Sequence, residues 1–236
     1  MLKNVRNISF KLDKNGCDFS LYREEIDNYW NEFSKEHPDM FNGDVLSVSS
    51  IEELDGDYNL TINAIEFCDI VYAKMVGNIK TRSLFSAGYI LTNDNYVCFL
   101  INKNNIVNLF GGMASLEDFR DDTYDPNLCI EREFKEETGL DINSEKINYS
   151  MKYLKYPSES ENIKSHYPVG IISEIKVDYR KDELDSLFNK LEHDNEIKSI
   201  LYLKLDENVN LDKYTKKEYI DELYGLIKKE NNNYAR

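Results

Sequence analysis

Asp125-Pro126-Asn127-Leu128-Cys129-Ile130-Glu131-Arg132-Glu133-Phe134-Lys135-Glu136-Glu137-Thr138-Gly139-Leu140 is the stretch from which the rest of this chain can be read. Its two ends are punctuated. Asp125 has the side chain of an N-cap, Pro126 suits the first helical position, and Gly139 suits the left-handed residue that stops a helix. A helix over 126–138 follows. On it Glu133, Glu136 and Glu137 stand at i, i+3 and i+4, so three carboxylates project from one face. Solvated like charges at that spacing repel by a few tenths of a kcal/mol per pair, and by more when buried. A fold that keeps them together calls for counter-charge. Hard oxygen donors on a rigid element are what Mg²⁺ or Mn²⁺ takes, and Arg132 beside them offers a planar fork that can brace a carboxylate.

Acidic runs on helices are usually solvated faces, but this one sits inside a longer pattern. Arg132 to Leu140 fits R-E-U-x-E-E-x-G-U, where U is a bulky apolar residue. At ordinary residue usage such a coincidence arises less than roughly once in a thousand chains of this size. The segment resembles the second half of the Nudix box, and the chain is similar to the Nudix hydrolases. In the first half, Gly111 with five intervening residues leads to Glu117, and Gly112 leads to Asp118; either acid stands where the family has Glu. From Asp118 to Arg132 the chain is about six residues too long, which predicts an insertion within Phe119 to Pro126.

The resemblance implies an α/β fold, an α/β/α sandwich around a mixed sheet, with the box as loop–helix–loop. It implies hydrolysis of a nucleoside diphosphate linked to another moiety X, with Mg²⁺ (or Mn²⁺) as cofactor, giving nucleoside monophosphate and X-phosphate. Carried onto this sequence, Glu133, Glu136 and Glu137 would ligate metal together with the Gly111 carbonyl. Arg132 would orient the glutamates. In many members the general base comes from a late loop before the last sheet strand; here that is Leu191 to Glu196, with Glu196 the first candidate, Glu192 the second and His193 a proton shuttle. Arg82, ahead of the first strand of the box domain, is a candidate phosphate ligand, against a plain salt-bridge role.

Outward from the box, periodicity organises the chain. Ile26, Tyr29, Trp30 and Phe33 make one stripe of a helix, with Ser20 as its cap and His37-Pro38 as its end. Val45 to Val48 and the alternating Tyr58-Leu60-Ile62-Ala64 read as strands joined by an Asp55-Gly56 turn. Residues 1–80 are thus expected to form an α/β extension, a helix plus a hairpin and a short helix. Residues 81–236 are expected to form the box domain. Its strands are expected at 86–91, 96–101, 106–110, 147–153, 168–177 and 197–203. Helices are expected at 182–191 and at the end, where Ile220, Leu223, Leu226 and Ile227 share a face.

Composition narrows the class. The chain has 236 residues, 41% hydrophobic, with 29 Lys and Arg against 44 Asp and Glu, a formal charge of −15. That is a globular composition which repels polyanions, arguing against non-specific nucleic-acid binding and against anionic lipid. Small phosphorylated ligands stay open, because divalent metal reverses the local sign. No apolar run approaches a membrane span and no secretory signal is evident, so a cytoplasmic protein is expected. Cys17, Cys68, Cys98 and Cys129 form no CxxC pair and read as reduced thiols.

A second, shorter likeness concerns His37 to Leu46, where a Phe41-Asn42-Gly43 turn resembles the extension of the UDP-glucose/UDP-galactose pyrophosphatase branch. It points to a nucleoside diphosphate sugar as substrate; a homodimer through the extension is a separate expectation. Two alternatives carry the same segment differently: an RNA 5′-end pyrophosphohydrolase, disfavoured by seven Arg in a chain of charge −15, and a non-catalytic nucleotide sensor, disfavoured by the three intact glutamates.

Overall fold

The computed structural model describes residues 1–14, 19–77, 79–156, 166–192, 196–207 and 209–234; the side chains of 232–234 lie outside the description. Cys17 and His193 therefore lie outside the described residues. The extension contributes β1 (Leu2–Asn4), β2 (Asn7–Leu12), α1 (Arg23–Glu36), β3 (Asp44–Leu54), β4 (Asp57–Glu66) and α2 (Phe67–Val76). Next come β5 (Leu84–Thr92), β6 (Tyr96–Asn102), β7 (Ile106–Asn108), β8 (Phe110–Met113), the short pair β9 (Phe119–Arg120) and β10 (Thr123–Tyr124), and α3 (Pro126–Thr138). The chain closes with β11 (Ile147–Lys155), β12 (Val169–Val177), α4 (Lys181–Phe188), β13 (Ile197–Lys204), β14 (Thr215–Lys216) and α5 (Ile220–Tyr234).

The large sheet runs β1-β11-β12-β5-β6-β7-β14, with β13 also on β6 and β8 also on β5. Its centre is a parallel pair, β12 on β5, while most neighbours are antiparallel, so the sheet is mixed. Central strands buried on both faces read as continuous apolar runs, as Gly88 to Leu91 and Gly170 to Ile172 do. On one face Phe110, Ile130 and Phe134 pack with Leu184 and Phe188, which seats α3 and α4. On the other, Tyr89, Phe99 and Tyr153 pack with Ile220, Leu223 and Ile227 of α5. Helices on both faces of a mixed sheet make an α/β/α sandwich.

Two local expectations are corrected, and one segment without a reading acquires structure. Ser20 does not cap α1: it lies in a 3-10 turn over Ser20–Tyr22, and the helix begins at Arg23 with no side-chain cap bond. The strand expected over 106–110 is two strands broken at Leu109, because β7 pairs with β6 whereas β8 crosses to β5. Residues 2–12, unread by periodicity, form two strands. Leu2 to Asn4 pair with Lys155 to Tyr153 at the edge of the large sheet, and β2 lies parallel to β4.

The extension's small sheet, β2-β4-β3, is two-faced. Tyr58, Leu60 and Ile62 of β4 join Leu46 and Val48 against Leu84, Leu154, Val169 and Ile171 of the large sheet. Val45 and Ile65 face α1 and α2, with Ile26, Cys68, Ile70 and Tyr72. Cys68, Cys98 and Cys129 are free thiols buried in three different clusters. No helix among the described residues is long and apolar enough to cross a membrane.

The seam between extension and sheet also has a polar stretch. Ser47 and Ser83 form a bridge, and Thr81 Oγ1 and Ser83 Oγ lie 2.9 and 3.4 Å from the two ring nitrogens of His166. Burial, with Lys74 and Lys155 close by, pushes this imidazole down to about 4. A histidine that protonates less readily folded than unfolded subtracts stability once the unfolded chain takes up its proton. Its contribution is therefore intact above about pH 6.5 and is lost as pH falls towards 4. Roughly 2 kcal/mol is expected to disappear across that window, after allowance for partial exposure. His166→Gln should flatten the pH dependence of the urea midpoint between pH 4 and 6.5; an unchanged slope would refute the assignment.

Candidate active site

The helix α3 forms for the reasons its sequence gives. Asp125 Oδ1 accepts the Asn127 N–H at 3.0 Å, Pro126 opens the first turn, and Gly139 stops the helix at φ 71°. Ser86 Oγ on β5 donates to the Pro126 carbonyl at 3.0 Å, and Phe134 packs edge-on against Phe110, so the helix is fixed over the β5–β8 pair. That pairing sets Gly111 opposite Ala87 and Gly112 opposite Ser86.

Both glycines are demanded by close approach. Gly111 has φ 140°, and a Cβ there would run into the Ser86 carbonyl and Ala87. A Cβ on Gly112 would overlap the Glu133 carboxylate. The bare backbone thus lets two helix acids come down on the strand: Gly111 N–H donates to Glu137 Oε2 at 2.6 Å, and Glu133 lies against Gly112.

Arg132 holds the acids in place. Its Nη1 donates to Glu133 Oε1 at 2.6 Å and stands 3.9 Å from Glu136 Oε2; its Nη2 reaches Asp118 Oδ2 at 3.3 Å. Asp118 is buried and also accepts the Ser115 N–H at 2.9 Å, whereas Glu117 is exposed. Of the two acids ahead of the insertion, Asp118 is therefore the one that joins the cluster. Burial opposes the Arg132 charge, but the Glu133 and Asp118 carboxylates outweigh it and hold the guanidinium protonated well beyond its usual range. Glu133 moves the other way: burial raises its carboxyl above the ordinary range despite Arg132, with Glu136 and Asp118 adding repulsion. The two shifts are compatible because one cation divided among three acids gains from all of them while each acid gets only a share.

The extra residues before α3 are a two-residue hairpin. Phe119 pairs with Tyr124 and Arg120 with Thr123, around Asp121 and Asp122, both at positive φ (50° and 60°) as a type I′ turn requires. Tyr124 stands edge-on to Phe10 of β2 at 4.8 Å, and Arg120 pairs with Asp125 at 3.4 Å, so the insertion is tied to the extension and to the helix cap.

Glu133, Glu136 and Glu137 supply hard oxygen donors with too little positive charge among them, the donor chemistry a divalent cation fits. As placed, Glu133 is engaged by Arg132 and Glu137 by Gly111 N–H; among the described residues no three His, Cys, Asp or Glu side chains converge on one point. Glu196 is exposed, with Oε1 3.3 Å from Lys103 Nζ at the outer end of the β6–β13 pair. Glu192 is exposed too, but its backbone lies against the end of α3: a Cβ on Gly139 would stand 2.6 Å from the Glu192 carbonyl. Arg82 Nη1 donates to the Ser49 carbonyl at 3.4 Å, at the seam with β3.

Beside the acids is a cavity of about 450 Å³ between the extension and the box. Phe41, Val45, Phe67, Met113 and Leu116 form its apolar wall, and Arg132 and Glu133 are at its inner end. The Leu46 N–H to Ala114 carbonyl bond (2.8 Å) joins its two sides. Sequence periodicity does not reveal this cavity; its one local signal is the Asn42-Gly43 turn.

No protein-family model matches the chain, and no curated protein matches it. Among solved structures it is similar to a MutT/nudix family protein from Enterococcus faecalis, at 16% identity over 91% of this chain and 74% of that one, TM-score 0.42. It is also similar to a NUDIX-family hydrolase from Clostridium perfringens, at 13% identity over 63% and 97%, TM-score 0.41. A UDP-X diphosphatase is similar at 14% identity over 90% and 84%, TM-score 0.36. The chain is thus similar to solved Nudix hydrolases, at scores that carry no weight for its chemistry; that rests on the side chains just described.

Proposed function

We propose that the chain is a divalent-metal-dependent pyrophosphohydrolase of the Nudix type, acting on a nucleoside diphosphate linked to a sugar. The observation that carries this reading is the set Glu133, Glu136 and Glu137 on one face of α3, with Glu133 and Glu137 brought down on the bare Gly111-Gly112 strand and Arg132 beside Glu133 and Glu136. Glu133, Glu136, Glu137 and the Gly111 carbonyl would hold the cation, which when bound would offset the charge of the diphosphate and acidify water. Arg132 keeps Glu133 turned towards the strand, and Gly111 N–H fixes one oxygen of Glu137. Glu136, the most exposed of the three, accepts the proton of the attacking water, with Glu192, whose backbone lies beside the helix end, as the loop alternative. Water adds to phosphorus, the P–O–P bridge breaks, and nucleoside monophosphate and sugar phosphate leave.

The test is a Mg²⁺/Mn²⁺ panel over UDP-sugars, ADP-ribose, NAD, dinucleoside polyphosphates and nucleoside triphosphates, read by product identity. Monophosphate plus sugar phosphate is expected, dependent on metal and abolished by chelator. Turnover indifferent to chelator, or no cleavage of any diphosphate-linked compound, would overturn the reading.

A further inference from the structure

The loop that walls the cavity is clamped to the start of α2. Asn42 Oδ1 accepts the Cys68 N–H at 2.9 Å and its Nδ2 donates to Glu66 at 2.6 Å, while the Gly43 carbonyl accepts the Phe67 N–H at 2.9 Å. These three bonds clamp residues 42–43 to the first turn of α2. Yet the side chain they present, Phe41, is 82% exposed, with its ring folded over Gly43, where a Cβ would stand 2.8 Å from it. Leaving a phenylalanine in water forgoes the stabilisation that its burial would bring. Met40 and Leu116, on the same cavity, are also exposed. A fixed apolar face turned into a cavity beside acidic groups suits a ligand better than it suits folding.

The rim says which ligand. Asp39, Asp44 and Glu117 line the cavity with the aromatic and aliphatic wall, and Glu133 closes it. Carboxylates accept hydrogen bonds and donate none, and they repel phosphate. The group that matches acceptors on one side and an apolar wall on the other is neutral, rich in hydroxyl donors and apolar across one face. A pyranose ring has all three properties. A uracil base offers one N–H donor flanked by two carbonyl acceptors, so it matches such a rim less well than a ring of hydroxyls does.

We infer that this cavity is the sugar subsite: the hexose of the nucleoside diphosphate sugar stacks its C–H face on Phe41 and gives its hydroxyls to Asp44, Asp39 and Glu117. The inference rests on the proposed hydrolysis for its substrate, and it orients that substrate. The diphosphate lies at the α3 acids, the sugar under the extension, and the nucleoside away from both.

The two halves of the substrate serve as separate probes, glucose 1-phosphate and uridine 5′-monophosphate, each titrated with Mg²⁺ into the full chain carrying ¹³C-methyl methionine. Met40 and Met113 line the cavity; Met1, Met75 and Met151 are internal controls. Glucose 1-phosphate should shift the Met40 and Met113 methyls, and uridine 5′-monophosphate should leave them in place. Phe41→Ala should weaken the sugar-phosphate titration about tenfold, equivalent to 1.4 kcal/mol, and Asp44→Asn severalfold. Both side chains are exposed, so neither change threatens the fold. Shifts caused by the nucleotide, alone or as well, would give the cavity to the nucleoside end and overturn the inference. So would silence with both probes, or a Phe41→Ala titration equal to the parent's. Glucose 1-phosphate binds without turnover, so absence of hydrolysis would sink the proposed reaction while the methyl shifts still judge the cavity.

Discussion

Arg132→Met should cost about 3–5 kcal/mol of folding stability at neutral pH. The guanidinium is what reconciles two buried acids, Asp118 at 3.3 Å and Glu133 at 2.6 Å. Methionine keeps much of the volume and leaves both carboxylates facing each other without a cation. Asp118 retains only the Ser115 N–H, and the raised Glu133 carboxyl loses the group that most opposes its burial. The deficit should shrink as pH is lowered, because protonation then neutralises what the arginine no longer pairs. Arg132→Lys should fall between: a point charge cannot serve two carboxylates as a planar fork does. Urea denaturation at pH 7.5 and 5 reads all three. A methionine variant within 0.5 kcal/mol of the parent would mean that the acids are not held as the geometry says. Adding Asp118→Asn to it should restore part of the loss, since one of the two stranded charges is then gone.

The parts of this molecule that were legible in its sequence are those whose causes are local. Asp125, Pro126 and Gly139 delimit α3 by their own backbone chemistry, and the six-residue excess before it is the hairpin Phe119–Tyr124. Pairing between distant segments was not legible. Leu2 to Asn4 find their partner at Lys155, and nothing in three mostly polar edge residues announces it. The cavity is illegible for the same reason: its walls, residues 39–45 and 113–117, are distant in sequence and are joined by tertiary contacts such as the Leu46 N–H bond to the Ala114 carbonyl. Ser20 fails as a cap because a 3-10 turn precedes the helix. Glu196, the first base candidate, is exposed with its carboxylate 3.3 Å from Lys103 Nζ, a neighbour that residue type alone does not announce.

Glu136→Gln and Glu137→Gln should each lower kcat by two or more orders of magnitude while leaving the protein folded, or slightly more stable. The two effects have opposite signs because they have separate causes. In the folded chain the glutamates repel one another, and removing one charge from the i, i+3, i+4 set relieves a few tenths of a kcal/mol. Glutamine at 137 keeps an oxygen that accepts the Gly111 N–H, so the local bond survives. Glu136 is 58% exposed and 3.9 Å from Arg132, so its loss removes little from the fold. What both variants lack is a ligand charge, and a neutral amide oxygen is a far poorer donor for a hard dication. A readout independent of turnover follows from linkage. Saturating Mn²⁺ should raise the melting temperature of the parent, through RT ln(1 + [L]/Kd), and should raise that of either variant much less. Variants that retain both parental turnover and the parental Mn²⁺ shift would place the cation elsewhere, and the α3 carboxylates would then be a solvated acidic face.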